Sequence, residues 1–138
     1  MNQGLAAVIE AANRVLLAEG KVDALDEFFT TDYVAHGTDQ KIKGYGGIRR
    51  FVRELRQGFP DLQVEVEILV KTKDRVAWQR TLHGSHRGSF RGFPATDRRV
   101  LWWDMVTSRF RDGRIAEDWV VTDLVERLLR SRKRRRIA

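Results

Sequence analysis

The chain contains no cysteine. That excludes a disulfide framework and thiolate chemistry. No stretch approaches the roughly 20 apolar residues of a membrane span. The opening Met1-Asn2-Gln3-Gly4 lacks the basic and then apolar run of a signal peptide. These absences predict a cytoplasmic protein with no membrane partner. There is no internal repeat, no low-complexity linker and no domain break, so residues 1–129 are read as one domain and 130–138 as a basic C-terminal tail. Only three histidines are present, His36, His83 and His86. They are scattered, and no His-x-His or Glu-x-x-His spacing supports a metal site. Gly44-Tyr45-Gly46-Gly47 has neither a strand before it nor a lysine after it, so it is not a phosphate-binding loop. No cofactor is implied.

What is present in excess is positive charge. The net charge is +7, and residues 130–136 read Arg-Ser-Arg-Lys-Arg-Arg-Arg. Without that segment the chain is nearly neutral. Such a run holds nucleic-acid phosphates by counterion release or simply solvates the end of the chain. No aromatic residue interleaves it to stack on bases, which favours the solvated end.

The first part of the chain has helical periodicity. Leu5, Val8, Ile9, Ala12, Val15 and Leu16 form one amphipathic stripe, closed by Gly20. Val22 to Phe29 reads as a second, short helix. Tyr33 to His36 reads as a short strand and Gly37 to Gly44 as a loop. Ile48, Phe51, Val52 and Leu55 mark a third helix, stopped by Pro60. The period then becomes two. Strands are expected over Leu62 to Val70, Arg75 to Gly84, Arg99 to Phe110 and Arg114 to Thr122, with a hairpin arm starting over His86 to Gly92. Asp112-Gly113 is a hairpin turn. Asp123 to Glu126 has capping-box spacing, so a short final helix follows. Helices first and a meander of long strands afterwards predict an α+β fold. A pocket is expected between sheet and helices.

Several segments resemble the SnoaL-like branch of the nuclear transport factor two-like superfamily. They are Phe59-Pro60-Asp61-Leu62, Asp74-Arg75-Val76-Ala77, the run His86 to Val100 with its spaced Gly88, Phe90, Gly92, Pro94 and Thr96, and Arg109-Phe110-Arg111-Asp112-Gly113-Arg114-Ile115-Ala116-Glu117-Asp118-Trp119. The resemblance spans about residues 5–130. It implies a conical, curved antiparallel sheet with three N-terminal helices around an apolar pocket, and often a homodimer. It also implies cofactor-free acid–base chemistry, such as the ring closure of polyketide esters. In that family the proton-transferring aspartate directly follows the tryptophan of the last strand. Here that place is Val120, which cannot transfer a proton.

A carboxylate does stand two residues earlier, at Asp118, on the same strand face as Val120. Pairing Phe110 with Ile115 across the turn puts Met105 and Thr107 beside Val120 and Asp118. Trp103, Met105, Thr107 and Val120, with Trp78, are then the expected ligand-binding lining. In such a place desolvation raises the pKa of Asp118 and suits it to general acid–base work. The plainer alternative is an arginine pair at the rim of the cone. The resemblance gives His36 a position looking into the pocket, as the acid's partner or as a structural histidine. Asp104 alternates with Trp102 and Val106 on the opposite face, where Arg80 or a dimer interface would pair it. Glu117 shares that outer face, and Asp123 is a helix cap.

Three readings follow. One is a cofactor-independent cyclase, isomerase, lyase or hydrolase using Asp118 and His36 on a hydrophobic small molecule. Another is a binding protein without chemistry, favoured by Val120 and Met105. The last is a nucleic-acid partner acting through the tail. An epoxide-hydrolase site needs an Asp-Arg-Asp set, of which only Arg80 and Asp118 are evident.

Overall fold

A computed structural model of the chain describes residues 4–37 and 40–136, with helix backbone only for 132–136. The first helix, α1, is Leu5–Ala12 and continues as a π-helical stretch over Asn13–Ala18. It buries Ile9, Ala12, Asn13, Leu16 and Leu17. Gly20 follows with φ +70, and a β-carbon there would meet the Arg56 side chain. That contact is specific, because Arg56 donates from Nη1 to the carbonyls of Leu17 and Ala18. It thereby satisfies acceptors that the helix end leaves open. The second helix expected over Val22 to Phe29 is only a 3₁₀ turn, Leu25–Glu27. Phe29 already begins strand β1, Phe29–His36. The expected loop after it holds a short strand, β2, Lys41–Lys43; residues 38 and 39 lie outside the described part. Helix α2 is Gly44–Gly58 and buries Ile48, Val52 and Leu55 at i, i+4 and i+7.

Strands β3 (Gln63–Lys71), β4 (Arg75–Ser85), β5 (Arg99–Arg111) and β6 (Arg114–Thr122) fall where the period-two pattern puts them. His86 to Gly92 is not a strand arm; only a bridge between Phe90 and Phe93 forms there. This segment folds back on the core instead. His86 stacks on Phe59, Phe90 meets Phe59 edge-on, and the amides of Arg87 and Gly88 donate to the Gly58 carbonyl.

The six strands form one curved, open sheet in the order β2-β1-β6-β5-β4-β3. It is mixed rather than wholly antiparallel, because β1 runs parallel to β6. The chain is an α+β fold with its core between the helices and the inner face of the sheet. The last helix, α3, is Leu124–Arg136, so helical backbone extends into the segment expected as a tail. Leu124 and Leu128 bury it against the domain. No helix among the described residues is long and apolar enough to cross a membrane.

One irregularity decides which residues face inward. Phe110 pairs with Ile115 as expected, but the next pair is Arg109 with Glu117. Ala116 is therefore an extra residue in β6, a β-bulge. Beyond it every side-chain partnership shifts by one, and a one-residue shift exchanges the two faces of a strand. Asp118 lies beside Ser108 and Val120 beside Val106, whereas Met105 lies beside Val121 and Thr107 beside Trp119.

Candidate functional site

The inner face of β4, β5 and β6 and the apolar sides of α1 and α2 enclose a cavity of about 140 Å³. Its walls are mostly Leu16, Leu17, Phe29, Phe51, Val52, Trp78, Val106 and Val120. Besides Gln40, Arg91 and Thr122, its polar wall residues form two hydrogen-bonded groups.

The first group centres on Asp118, which is buried. Tyr33 donates its hydroxyl to Asp118 Oδ2 and Ser108 donates its hydroxyl to Asp118 Oδ1, each at 2.5 Å. Ser108 is oriented in turn, because its Oγ accepts from Trp78 Nε1 at 2.9 Å. Four elements of the inner face thus converge: β1 brings Tyr33, β4 brings Trp78, β5 brings Ser108 and β6 brings Asp118. Burial raises the Asp118 pKa above its ordinary 3.8, against the lowering effect of the Ser108 and Tyr33 hydrogen bonds and of the Arg80 charge. Burial and the neighbouring carboxylate both hold the proton on Tyr33, whose pKa is raised well above 10.0. A desolvated carboxyl group fixed by two donors at a cavity wall has the setting of a general acid or base.

The second group lies further along the same strands. Asp104 accepts from Nε and Nη2 of Arg80 on one oxygen, Oδ2, at 2.9 and 2.7 Å. Arg80 Nη1 donates to Asn13 Oδ1 at 2.9 Å, and Asn13 Nδ2 donates to the Ile9 carbonyl at 2.8 Å. Asn13 opens the π-helical stretch of the first helix, a wide turn of the kind found at functional sites. Asn13, Arg80 and Asp104 all line the cavity.

The expected residues are therefore divided. Asp118, Val120 and Trp78 line the cavity. Trp103, Met105 and Thr107 do not share their face; the bulge at Ala116 turns them to the outer side of the sheet, where Trp103 and Met105 are each 46% exposed. Asp104 is corrected in the opposite sense. It does pair with Arg80, as expected, but on the inner face. His36 is not brought to Asp118. Its Nε2 lies 2.7 Å from Glu117 Oε2, and its ring stacks on Trp119. Glu117 is held below its ordinary 4.5, first by the His36 hydrogen bond and then by Arg109. His83 bonds Arg99, and Asp123 accepts from the Trp103 amide and from Arg127.

Sequence reasoning missed Tyr33, Ser108 and Asn13. Each is a polar residue at an inward position of an otherwise apolar stripe. That pattern was the available signal. Among the described residues, no cluster of three or more His, Cys, Asp or Glu side chains is placed to hold a metal ion.

The sequence pattern of the SnoaL-like polyketide cyclases matches residues 6–129. Solved structures give the same result. AclR of Streptomyces galilaeus, a candidate hydroxylase, is 27% identical with a TM-score of 0.79 over 94% of this chain and 81% of that one. IdmH of Streptomyces antibioticus, a candidate polyketide cyclase, is 27% identical with a TM-score of 0.79 over 94% of this chain and 98% of that one. A candidate polyketide cyclase of Acidithiobacillus ferrooxidans shares the fold at 20% identity, with a TM-score of 0.80 over 96% of this chain and 99% of that one. No curated protein matches the chain.

Proposed function

The chain belongs to the SnoaL-like polyketide cyclase family, and from that premise we propose that it is a cofactor-independent enzyme moving a proton on a hydrophobic small molecule. The observation that carries this reading is Asp118, a buried cavity-wall carboxyl group with a raised pKa and two fixed hydroxyl donors. In this reading Asp118 takes the proton from an activated carbon beside a carbonyl group and returns it elsewhere on the product. Tyr33 and Ser108 hold its orientation. Tyr33 takes the place in the site that the sequence reading gave to His36. The family's acid position is Val120, about 7 Å along the same strand face. That displacement favours isomerase, lyase or hydrolase chemistry over the family's ring closure.

A second reading, a binding protein without chemistry, is favoured by Val120 itself and by the fact that both Asp118 oxygens already receive a donor. Solvent exchange separates the two. Hydrophobic aryl methyl ketones are incubated with the protein in deuterium oxide, and NMR follows loss of the methyl protons beside the carbonyl. The enzyme reading predicts protein-dependent exchange that Asp118→Asn abolishes while ketone binding survives. Binding without exchange in the unaltered protein contradicts the enzyme reading and leaves the binding protein.

We further propose a homodimer through the outer face of the sheet. Leu101, Trp103, Met105 and Val121 form an exposed apolar row across β5 and β6. A contiguous exposed apolar row on a sheet face fits an interaction surface.

A further inference from the structure

The Asp118 group accounts for one polar end of the cavity, and the Asp104 group is left without a task. Asp104 is 5% exposed and lines the cavity. Both nitrogens that Arg80 gives it go to Oδ2. Its other oxygen, Oδ1, is buried and has no hydrogen-bond partner. A buried carboxylate oxygen without a donor is unfavourable. The arrangement also cannot relax easily. Arg80 is engaged by both Asp104 and Asn13, and Asn13 is tied to the Ile9 carbonyl. The group leaves one unpaired acceptor oxygen on a residue of the cavity wall, beside the Arg80 guanidinium.

We propose that Asp104 Oδ1 is a ligand-recognition point that accepts a hydrogen bond from a hydroxyl group, alcoholic or phenolic, at the end of the ligand remote from Asp118. This rests on the reading of the cavity as a small-molecule site, and it narrows the ligand class. Asp104 lies four residues from Ser108 on β5, and Ser108 is the partner of Asp118. Four residues of strand span about 13 Å, less where the sheet curves. Val106 and Val120 lie between the two groups on the same face. The ligand is therefore an elongated apolar body with a carbonyl group at one end and a hydroxyl group at the other. Asp104 would be a specificity residue and would take no part in the proton transfer. The polarity of the interaction also follows. A carboxylate only accepts, so it rejects an ether or ketone oxygen at that end.

The test compares 6-acetyl-2-naphthol with its methyl ether as ligands of the full chain. The unaltered protein should bind the phenol at least about tenfold more tightly. In Asp104→Asn the amide oxygen stays with Arg80, and the amide NH₂ takes the Oδ1 position. A donor then replaces the acceptor, so the preference should vanish or reverse. A preference unchanged in Asp104→Asn overturns the proposal. Absence of exchange in the unaltered protein with the phenol preference intact would overturn the enzyme reading and leave this proposal standing, so the two readings fail separately. A measurement without a variant guards against misfolding. In the unaltered protein the Asp104 carboxyl carbon resonance should shift with the phenol and not with the ether. Equal shifts, or none, contradict the proposal. If neither compound binds, it falls together with the ligand cavity.

Discussion

Replacing Tyr33 by phenylalanine removes one hydroxyl and nothing else of size. The ring remains buried, and its edge contact with Phe29, at a centroid separation of 4.8 Å, is preserved. What is lost is one of the two donors that hold Asp118. A hydrogen bond to an ionised group contributes roughly 1.5–3 kcal/mol, and one to a neutral group about 0.5–1.5 kcal/mol. The loss therefore depends on whether Asp118 is ionised. Its pKa is raised in the fold above 3.8, so protonation of Asp118 favours folding. That contribution is complete below the unfolded-state value and is lost as the pH climbs through the folded value. Tyr33→Phe raises the folded value further, because the lost hydrogen bond favours the charged form. Urea unfolding above the folded-state value should show a loss of roughly 1.5–3 kcal/mol, shrinking to about half that near pH 3.5, below the ordinary value. An equal loss at both pH values would refute the reasoning, because it would mean that Tyr33 does not act on the charge of Asp118.

Two other outcomes follow. A β-carbon at Gly88 would lie 2.1 Å from the Gln57 carbonyl oxygen, so Gly88→Ala should cost roughly 1–3 kcal/mol by forcing the 86–98 segment off the end of α2, measured by urea unfolding; a loss below about 0.5 kcal/mol contradicts that docking. Trp103→Lys combined with Val121→Lys places two charges on the exposed sheet face and should yield a monomer by sedimentation equilibrium where the unaltered chain sediments as a dimer; a monomer in both contradicts the proposed interface.

Much of the fold is legible from periodicity, because a half-buried strand must alternate and a helix buried on one side must repeat at three to four. Strands β3 to β6 and helices α1 and α2 follow from that constraint alone. The parallel pairing of β1 with β6 does not, because pairing between distant segments is settled by packing. The candidate site was half legible for one local reason. Asp118 was placed on the correct face with Val120, but its neighbours on β5 were read across a turn assumed to have no bulge. Ile115 and Ala116, two consecutive buried residues in an alternating strand, are the mark of the bulge. Counting Ala116 as the extra residue replaces Met105 and Thr107 by Asp104, Val106 and Ser108. The Asp-Arg-Asp set of which only Arg80 and Asp118 are evident in the sequence gains its other aspartate in Asp104, which Arg80 holds through two hydrogen bonds. His36 illustrates a different limit. Its strand was read correctly, but its outward orientation depends on the pairing of β1 with β6 and on Glu117.

The central claim is that Asp118 is the ionisable group of a ligand-binding cavity. Its most direct test is the titration of the Asp118 carboxyl carbon by carbon-detected NMR, with and without 6-acetyl-2-naphthol. The account predicts a midpoint above the ordinary 3.8, moving further when the ligand enters and excludes water from the cavity. An ordinary carboxylate titration, unchanged by the ligand, would contradict it.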